Sequence, residues 1–144
     1  MGEGKSGDSR SFRDIMGIFA TGITVVTLES EELYGMTANA FSSLSLDPPL
    51  ILVCVAKTAS MHAALSDTSS FAVNILGENQ DDISTLFAKH GRREEPLGGT
   101  PYHTGILGTP ILDDCIAFVE CKLRDQFPGG DHTIVVGEVV DFNL

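Results

Sequence analysis

The 144-residue sequence predicts a mainly β domain, an antiparallel barrel or sandwich with helices packed outside. Two observations support this class. About six short segments are rich in apolar and β-branched residues, and about three have the spacing of amphipathic helices. The segments do not alternate as strand–helix–strand units, which disfavours a doubly wound parallel sheet.

Size and composition predict one domain with a real core. At 144 residues, 42% of them hydrophobic, the chain can bury enough apolar surface to fold alone. Residues 1–11, MGEGKSGDSRS, are small and polar and are predicted to form a flexible arm. Residues 12–144 are assigned to the folded domain.

The first third of the chain predicts one helix and a hairpin. Apolar residues recur at helical spacing over 12–19, with Ser11 as the expected N-cap and Gly22 as the stop. Residues 23–29 and 33–38 are predicted to be paired strands. Residues 50–56, LILVCVA, are apolar at both parities, so we expect both faces of that strand to be covered.

The remaining elements alternate less regularly. We predict a short helix over 60–67 capped by Ser60, a strand over 71–76 and a helix over 81–91. Residues 92–108 are predicted to form a long irregular loop. The last strands are 115–123 and 132–142, with a turn at 129–130.

Charge and cysteine content exclude several function classes. A net charge of -11 argues against nucleic acid as a partner. No apolar run approaches the ~20 residues of a membrane span. Cys54, Cys115 and Cys121 are expected to be buried free thiols, which predicts a cytoplasmic protein. The histidines and cysteines lack the spacing of metal ligands, so we predict no metal site. The glycines lack the dinucleotide-binding fingerprint, so any nucleotide site is not a Rossmann one.

The most informative segment is residues 37–50, TANAFSSLSLDPPL, which runs directly into the apolar strand. Its hydroxyls suggest a wall packed on one side that hydrogen-bonds a ligand on the other. The alternative interpretation is an edge segment whose hydroxyls bond their own backbone.

Two further segments have both a functional and an ordinary interpretation. Residues 57–61, KTASM, join a strand to a helix, where backbone N–H groups attract an anion, but Ser60 capping with Lys57 in solvent explains them equally well. His132 lies in GGDHTIVVGE, and a histidine there is either a turn residue or a catalytic one. Asp131 beside it is a common turn former.

Taken in order, these motifs resemble the flavin reductase-like family, which has the FMN-binding split-barrel fold. The resemblance rests on FATGITVVT, GMTANAFSSLSLDPPLILVCVAKTAS, FAVNIL, LFAKHG, GTPILDDCIAFVECKL and GDHTIVVGEVV, and it covers almost the whole chain. It implies a Greek-key antiparallel split β-barrel of about six strands with flanking helices. Members are the reductase components of two-component flavin-dependent monooxygenases.

The resemblance also implies a site. Flavin ring and ribityl contacts would come from Thr37, Ala38, Asn39, Ala40, Ser42 and Ser43, with backbone contacts from Cys54 and Val55. The phosphate would lie against Lys57, Thr58, Ser60 and Met61. The following helix would line the site with Phe87, Ala88 and Lys89, and His132 would stand where the nicotinamide stacks.

The implied activity is NAD(P)H:flavin oxidoreduction. Hydride would pass from NADH or NADPH to FMN or FAD, and the reduced flavin would go to a separate monooxygenase. A homodimer is expected. The alternative is a non-catalytic flavin- or haem-binding split barrel, or an inactive partner subunit, because one fold serves several functions.

Overall fold

The computed structural model describes residues 9–19, 21–89 and 95–144. The chain is mainly β, with helices at its flanks. Its strands are β1 Thr24–Glu29, β2 Leu33–Ala38, β3 Phe41–Leu46, β4 Pro49–Ala56, β5 Ser70–Ile75, β6 Tyr102–Thr104, β7 Pro110–Leu112, β8 Ala117–Gly129 and β9 His132–Asn143. Its helices are α1 Ser9–Ile18, α2 Ser60–Ala64 and α3 Asp81–Ala88, with 3-10 turns at Leu65–Asp67 and Pro96–Gly99.

Seven strands form one antiparallel sheet in the order β2-β1-β5-β8-β9-β4-β3. Strands β6 and β7 form a separate two-stranded ribbon. The Thr27 hydroxyl of β1 donates to the Pro110 carbonyl of β7 at 2.6 Å, so this ribbon is tied to the main sheet. The predicted antiparallel, mainly β class with flanking helices is therefore confirmed.

The predicted strand count of about six is wrong, because β3, β6 and β7 were not expected. Strand β3 carries Ser42, Ser43 and Ser45, which have low strand propensity, and it pairs only with β4 at the edge of the sheet. Strands β6 and β7 are three residues each, within the region predicted to be a loop or next to it. Segments this short leave no periodic signal.

Several helix boundaries also differ from the prediction. Helix α1 begins at Ser9, so Ser11 lies inside it rather than capping it. Residues 9–11 of the predicted arm are therefore helical, and residues 1–8 lie outside the described residues. Helix α2 has Ala59 at its N-cap, so Ser60 does not cap it. It ends at Ala64 and tightens into a 3-10 turn, and α3 ends at Ala88. Residues 90–91, predicted to end α3, lie outside the described residues.

The sheet separates two apolar clusters. The larger one contains Val26, Val53 and Phe71 from three strands, with Met61 of α2 packed against them. The smaller one lies where α3 and the Pro96–Gly99 turn cover the sheet, and contains Val25, Leu76, Phe87, Leu97 and Leu112. The smaller cluster holds α3 beside β2, where the predicted site residues lie.

Within the described residues, strand β4 is fully covered on one face and partly covered on the other. Ile51, Val53 and Val55 are buried, whereas Leu52 and Cys54 of the opposite parity are partly buried, as are Leu50 and Ala56. The prediction that both faces are covered is therefore met only in part by the described residues. Among the described residues, no helix has the length and apolar character needed to cross a bilayer.

Candidate functional site

A groove with a cavity volume of about 230 Å³ lies between β2, β4, α2, α3 and the start of β9. Five separate elements thus meet around one concave surface. Its lining residues are Gly35, Met36, Thr37, Ala38, Asn39, Ala40, Cys54, Ala56, Ala59, Ser60, Met61, Phe87, Ala88, Lys89 and His132.

Helix α3 approaches β2 closely because Gly35 has no side chain. A Cβ at Gly35 would lie 2.5 Å from Cε1 of Phe87, which is far inside van der Waals contact. Phe87 is only 2% exposed and packs into the smaller cluster. One wall of the groove is therefore formed by the Gly35 backbone and the Phe87 ring in close contact.

The Thr37 hydroxyl has a structural partner. Its Oγ1 donates to the Ser84 carbonyl of α3 at 2.6 Å, so it fastens β2 to that helix. On β3, the exposed Ser42 hydroxyl donates to the Ser43 carbonyl at 2.9 Å. The alternative interpretation, that these hydroxyls bond the segment's own backbone, therefore holds for Ser42 but not for Thr37, whose hydroxyl bonds α3.

Strand β4 contributes alternate residues. Cys54 and Ala56 line the groove, while the Val55 side chain is fully buried in the larger core cluster on the other face. The Cys54 N–H donates to the Ala40 carbonyl at 3.0 Å, which joins β4 to the link between β2 and β3. The part of the groove formed by Ala40 and Cys54 is therefore held together by a backbone hydrogen bond.

The turn after β4 is also fixed by its backbone. The Lys57 N–H donates to the Asp131 carbonyl at 2.9 Å, and the Ala59 N–H donates to the Ala56 carbonyl at 3.0 Å. Lys57 and Thr58 are exposed and lie outside the lining. The Lys57 amide is therefore already used, and its ammonium group is the part available to an anion.

His132 is half-buried at the end of the groove and opens β9. Its Nδ1 donates to Oδ1 of Asp131 at 2.7 Å. This bond lowers the pKa of Asp131, with smaller contributions from the charges of His132 and Lys57. In the neutral ring this leaves Nε2 as an acceptor, and no described residue bonds that nitrogen.

The structure brings most of the predicted site residues together. Those outside the lining are Ser42, Ser43, Val55, Lys57 and Thr58. Four lining residues were not predicted from the sequence, namely Gly35, Met36, Ala56 and Ala59, and each lies within two positions of a predicted residue. Strand parity could have found Ala56, since it shares a face with Cys54.

The three cysteines are free but only one is buried. Burial raises the pKa of Cys121 to about 12, and desolvation also raises the pKa of Cys115. Cys54 and Cys115 are half-exposed, which corrects the prediction that all three are buried. Within the described part of the chain, no group of three or more His, Cys, Asp or Glu side chains could hold a metal.

Comparisons with known proteins give a consistent result. Residues 16–144 match the model of the flavin reductase like domain. The chain is 42% identical to a probable flavin reductase of Rhizobium meliloti (strain 1021), with 94% of this chain covering 43% of that protein. It is also 42% identical to FMN reductase (NADH) SmoA of Agrobacterium fabrum, with 92% of this chain covering 75% of that one. The chain thus spans less than half of the first relative and three quarters of the second.

Solved structures agree. The NADH:FAD oxidoreductase SgcE6 of Streptomyces globisporus C-1027, in complex with NAD and FAD fragments, superposes with a TM-score of 0.90 at 38% identity. The match covers 96% of this chain and 84% of that one. With the family model matched over nearly the whole chain, the resemblance seen in the sequence is confirmed: the chain belongs to the flavin reductase-like family.

Proposed function

We propose that this protein is an NAD(P)H:flavin oxidoreductase that supplies reduced FMN or FAD to a separate monooxygenase. The observation that carries the proposal is the groove itself, which brings together residues 37–40, residues 59–61 of the KTASM turn and His132. Relatives named as FMN reductase (NADH), NADH-dependent FAD reductase and NADH-dependent flavin reductase support it. These names favour NADH as the donor.

The residues of the groove fit a flavin. The isoalloxazine ring is flat and needs a wall without bulky side chains, and Gly35, Ala38, Ala40, Ala56 and Ala59 provide one. A bound flavin accepts hydride at its ring, so the protein must supply orientation and electrostatics rather than a nucleophile. The predicted ring contacts at 37–40 and at Cys54 lie on this wall.

The phosphate end fits the turn after β4. Ser60 and Met61 line the groove there, and Ser60 is not consumed as a helix cap. Lys57 and Thr58 lie beside the groove and are exposed, which suits contact with a phosphate that projects toward solvent. On the opposite wall, Lys89 supplies a second cation.

His132 is proposed to position the nicotinamide. Its Nδ1–H is held by Asp131, so Nε2 is left to accept a hydrogen bond from a substrate amide. A charged carboxylate partner also stabilises the imidazole in one orientation. His132 therefore acts by orienting the donor ring over the acceptor.

We propose further that the sheet curves into a split barrel, that the protein is cytoplasmic and that it forms a homodimer. Helix α1 presents Phe12, Ile15 and Met16 at 65%, 63% and 52% exposure, a hydrophobic face that a second copy would cover. The groove's 230 Å³ is below the ~300–1,000 Å³ of typical ligand pockets, which suits a site completed by a partner copy.

Anaerobic mixing of the protein with FMN and NADH tests the activity. The flavin absorbance should bleach much faster than in protein-free solution, and FAD and NADPH in separate mixtures define the preference. Flavin binding without bleaching would instead establish the non-catalytic module. A protein that binds no flavin would contradict both.

A further inference from the structure

The start of β9 is joined to the segment after β4 by consecutive contacts. Ala56 pairs with His132 in the sheet, and the Lys57 N–H donates to the Asp131 carbonyl. The next contact is made by side chains, since Nε2 of His62 lies 2.7 Å from Oγ1 of Thr133.

The contact between His62 and Thr133 differs from the other two. Backbone pairing fixes β9 to β8, to β4 and to the first residue of the turn, but not to α2. His62 belongs to α2, so its bond reaches the element that carries Ser60 and Met61 into the groove. Thr133 is 8% exposed and His62 is partly buried, so the bond is partly shielded from water, which strengthens it.

The chemistry of the pair makes the link robust. A threonine hydroxyl both donates and accepts, so the bond forms with either tautomer of the imidazole. Neither side chain lines the groove. The residue that precedes each of them does line the groove: Met61 precedes His62, and His132 precedes Thr133. Displacement of α2 from β9 would therefore move Met61 and Ser60 relative to His132.

We propose that His62 and Thr133 are positioning residues for the flavin site. Their hydrogen bond holds α2 against β9, so that Ser60 and Met61 keep their place in the groove that binds the flavin. The inference rests on the proposed function, because the ligand whose binding it improves is the flavin.

Two substitutions at Thr133 separate this role from folding. Thr133→Val removes the hydroxyl at almost constant volume, and Thr133→Ser retains it. We expect Thr133→Val to raise the FMN Kd about fivefold, the effect of one lost neutral hydrogen bond, and Thr133→Ser to stay near wild type. The KM for FMN should rise with the Kd, while kcat at saturating FMN changes by less than about twofold.

A matched control and a double variant complete the test. The Ser66 hydroxyl, close to His62 in the chain, donates to the Ala63 carbonyl at 2.9 Å. Ser66→Ala removes this hydrogen bond and should leave the FMN Kd unchanged. The double variant His62→Leu/Thr133→Val should bind FMN no more weakly than Thr133→Val alone, since both remove one interaction.

Fluorescence titration with FMN at 25 °C gives the readout, after circular dichroism has established that each variant is folded at that temperature. A Thr133→Val protein with a lower melting temperature but a wild-type FMN Kd would overturn the positioning role and leave the reductase proposal intact. A wild-type protein that binds no FMN would overturn both.

Discussion

Gly35 of β2 and Phe87 of α3 touch so closely that no larger residue fits at position 35 without displacing the ring. A Cβ there would lie 2.5 Å from Cε1 and 2.6 Å from Cδ1 of Phe87. Both residues line the groove, so this contact sets the distance between α3 and β2 at the proposed flavin site.

We therefore predict that Gly35→Ala is destabilising and weakens flavin binding. Forcing one methyl group into a packed site typically costs about 1–3 kcal/mol. Urea unfolding should show a loss of this size, and FMN titration should show a raised Kd. Gly22→Ala is the matched control, because a Cβ at Gly22 meets nothing within 4 Å. Equal stability of the two variants would show that α3 yields without cost.

Replacement of His132 should affect the nicotinamide more than the flavin. His132→Ala is expected to lower kcat/KM for NADH about tenfold, through loss of one substrate hydrogen bond and of ring orientation. The FMN Kd should change by less than about twofold, because other residues make up most of the groove. Steady-state kinetics and FMN titration measure the two effects. A wild-type kcat/KM would exclude the proposed role.

Asp131→Ala tests the partner of that histidine. It should raise the KM for NADH severalfold without changing the FMN Kd, since the Lys57 amide bonds the Asp131 backbone and not its side chain. Initial-rate kinetics with varied NADH provide the measurement. An unchanged KM would mean that Asp131 is only a turn residue.

The pH dependence of the same pair has a definite sign. The pKa of Asp131 is lowered in the folded state by the bond from His132. Its contribution to folding is therefore complete above the usual Asp pKa of about 3.9 and is lost as the pH falls below it. The difference in melting temperature between wild type and Asp131→Ala should be present at about pH 6 and shrink toward about pH 3. A difference that grows on acidification would contradict this.

The cysteines predict a labelling pattern. Cys121 is fully buried with a pKa raised to about 12, so iodoacetamide at neutral pH should modify it only after unfolding. Cys54 lines the groove and should be protected by FMN, whereas Cys115 lies elsewhere and should label equally with and without FMN. Peptide mass spectrometry quantifies each site. Protection of Cys115 instead of Cys54 would place the flavin elsewhere.

The exposed face of α1 predicts the effect of a charge on assembly. Ile15→Asp should convert the proposed dimer to monomer, because an unpaired charge within an apolar interface is costly. Ile106→Asp, at a residue of similar exposure outside α1, should leave the dimer intact. Light scattering after size exclusion distinguishes the two masses. A dimeric Ile15→Asp protein would show that α1 is outside the interface.

The sequence predicted the elements that have strong local patterns and missed those fixed by distant contacts. β-Branched runs identified β1 and β5, and the resemblance to the flavin reductase-like family assigned Asn39 and Ser60 to the site, where both line the groove. No local signal showed that the Thr37 hydroxyl bonds Ser84 on α3. Because residues 50–56 are apolar at both parities, their pattern could not tell that Val55 faces the core while Cys54 faces the groove.

A crystal structure of the protein with FMN at saturating concentration tests the central claim most directly. We expect the flavin ring against residues 35–40 and Cys54, the phosphate at residues 57–61, and one face of the ring open toward His132. Flavin bound at another surface, or a groove that stays free of flavin at saturation, would contradict it.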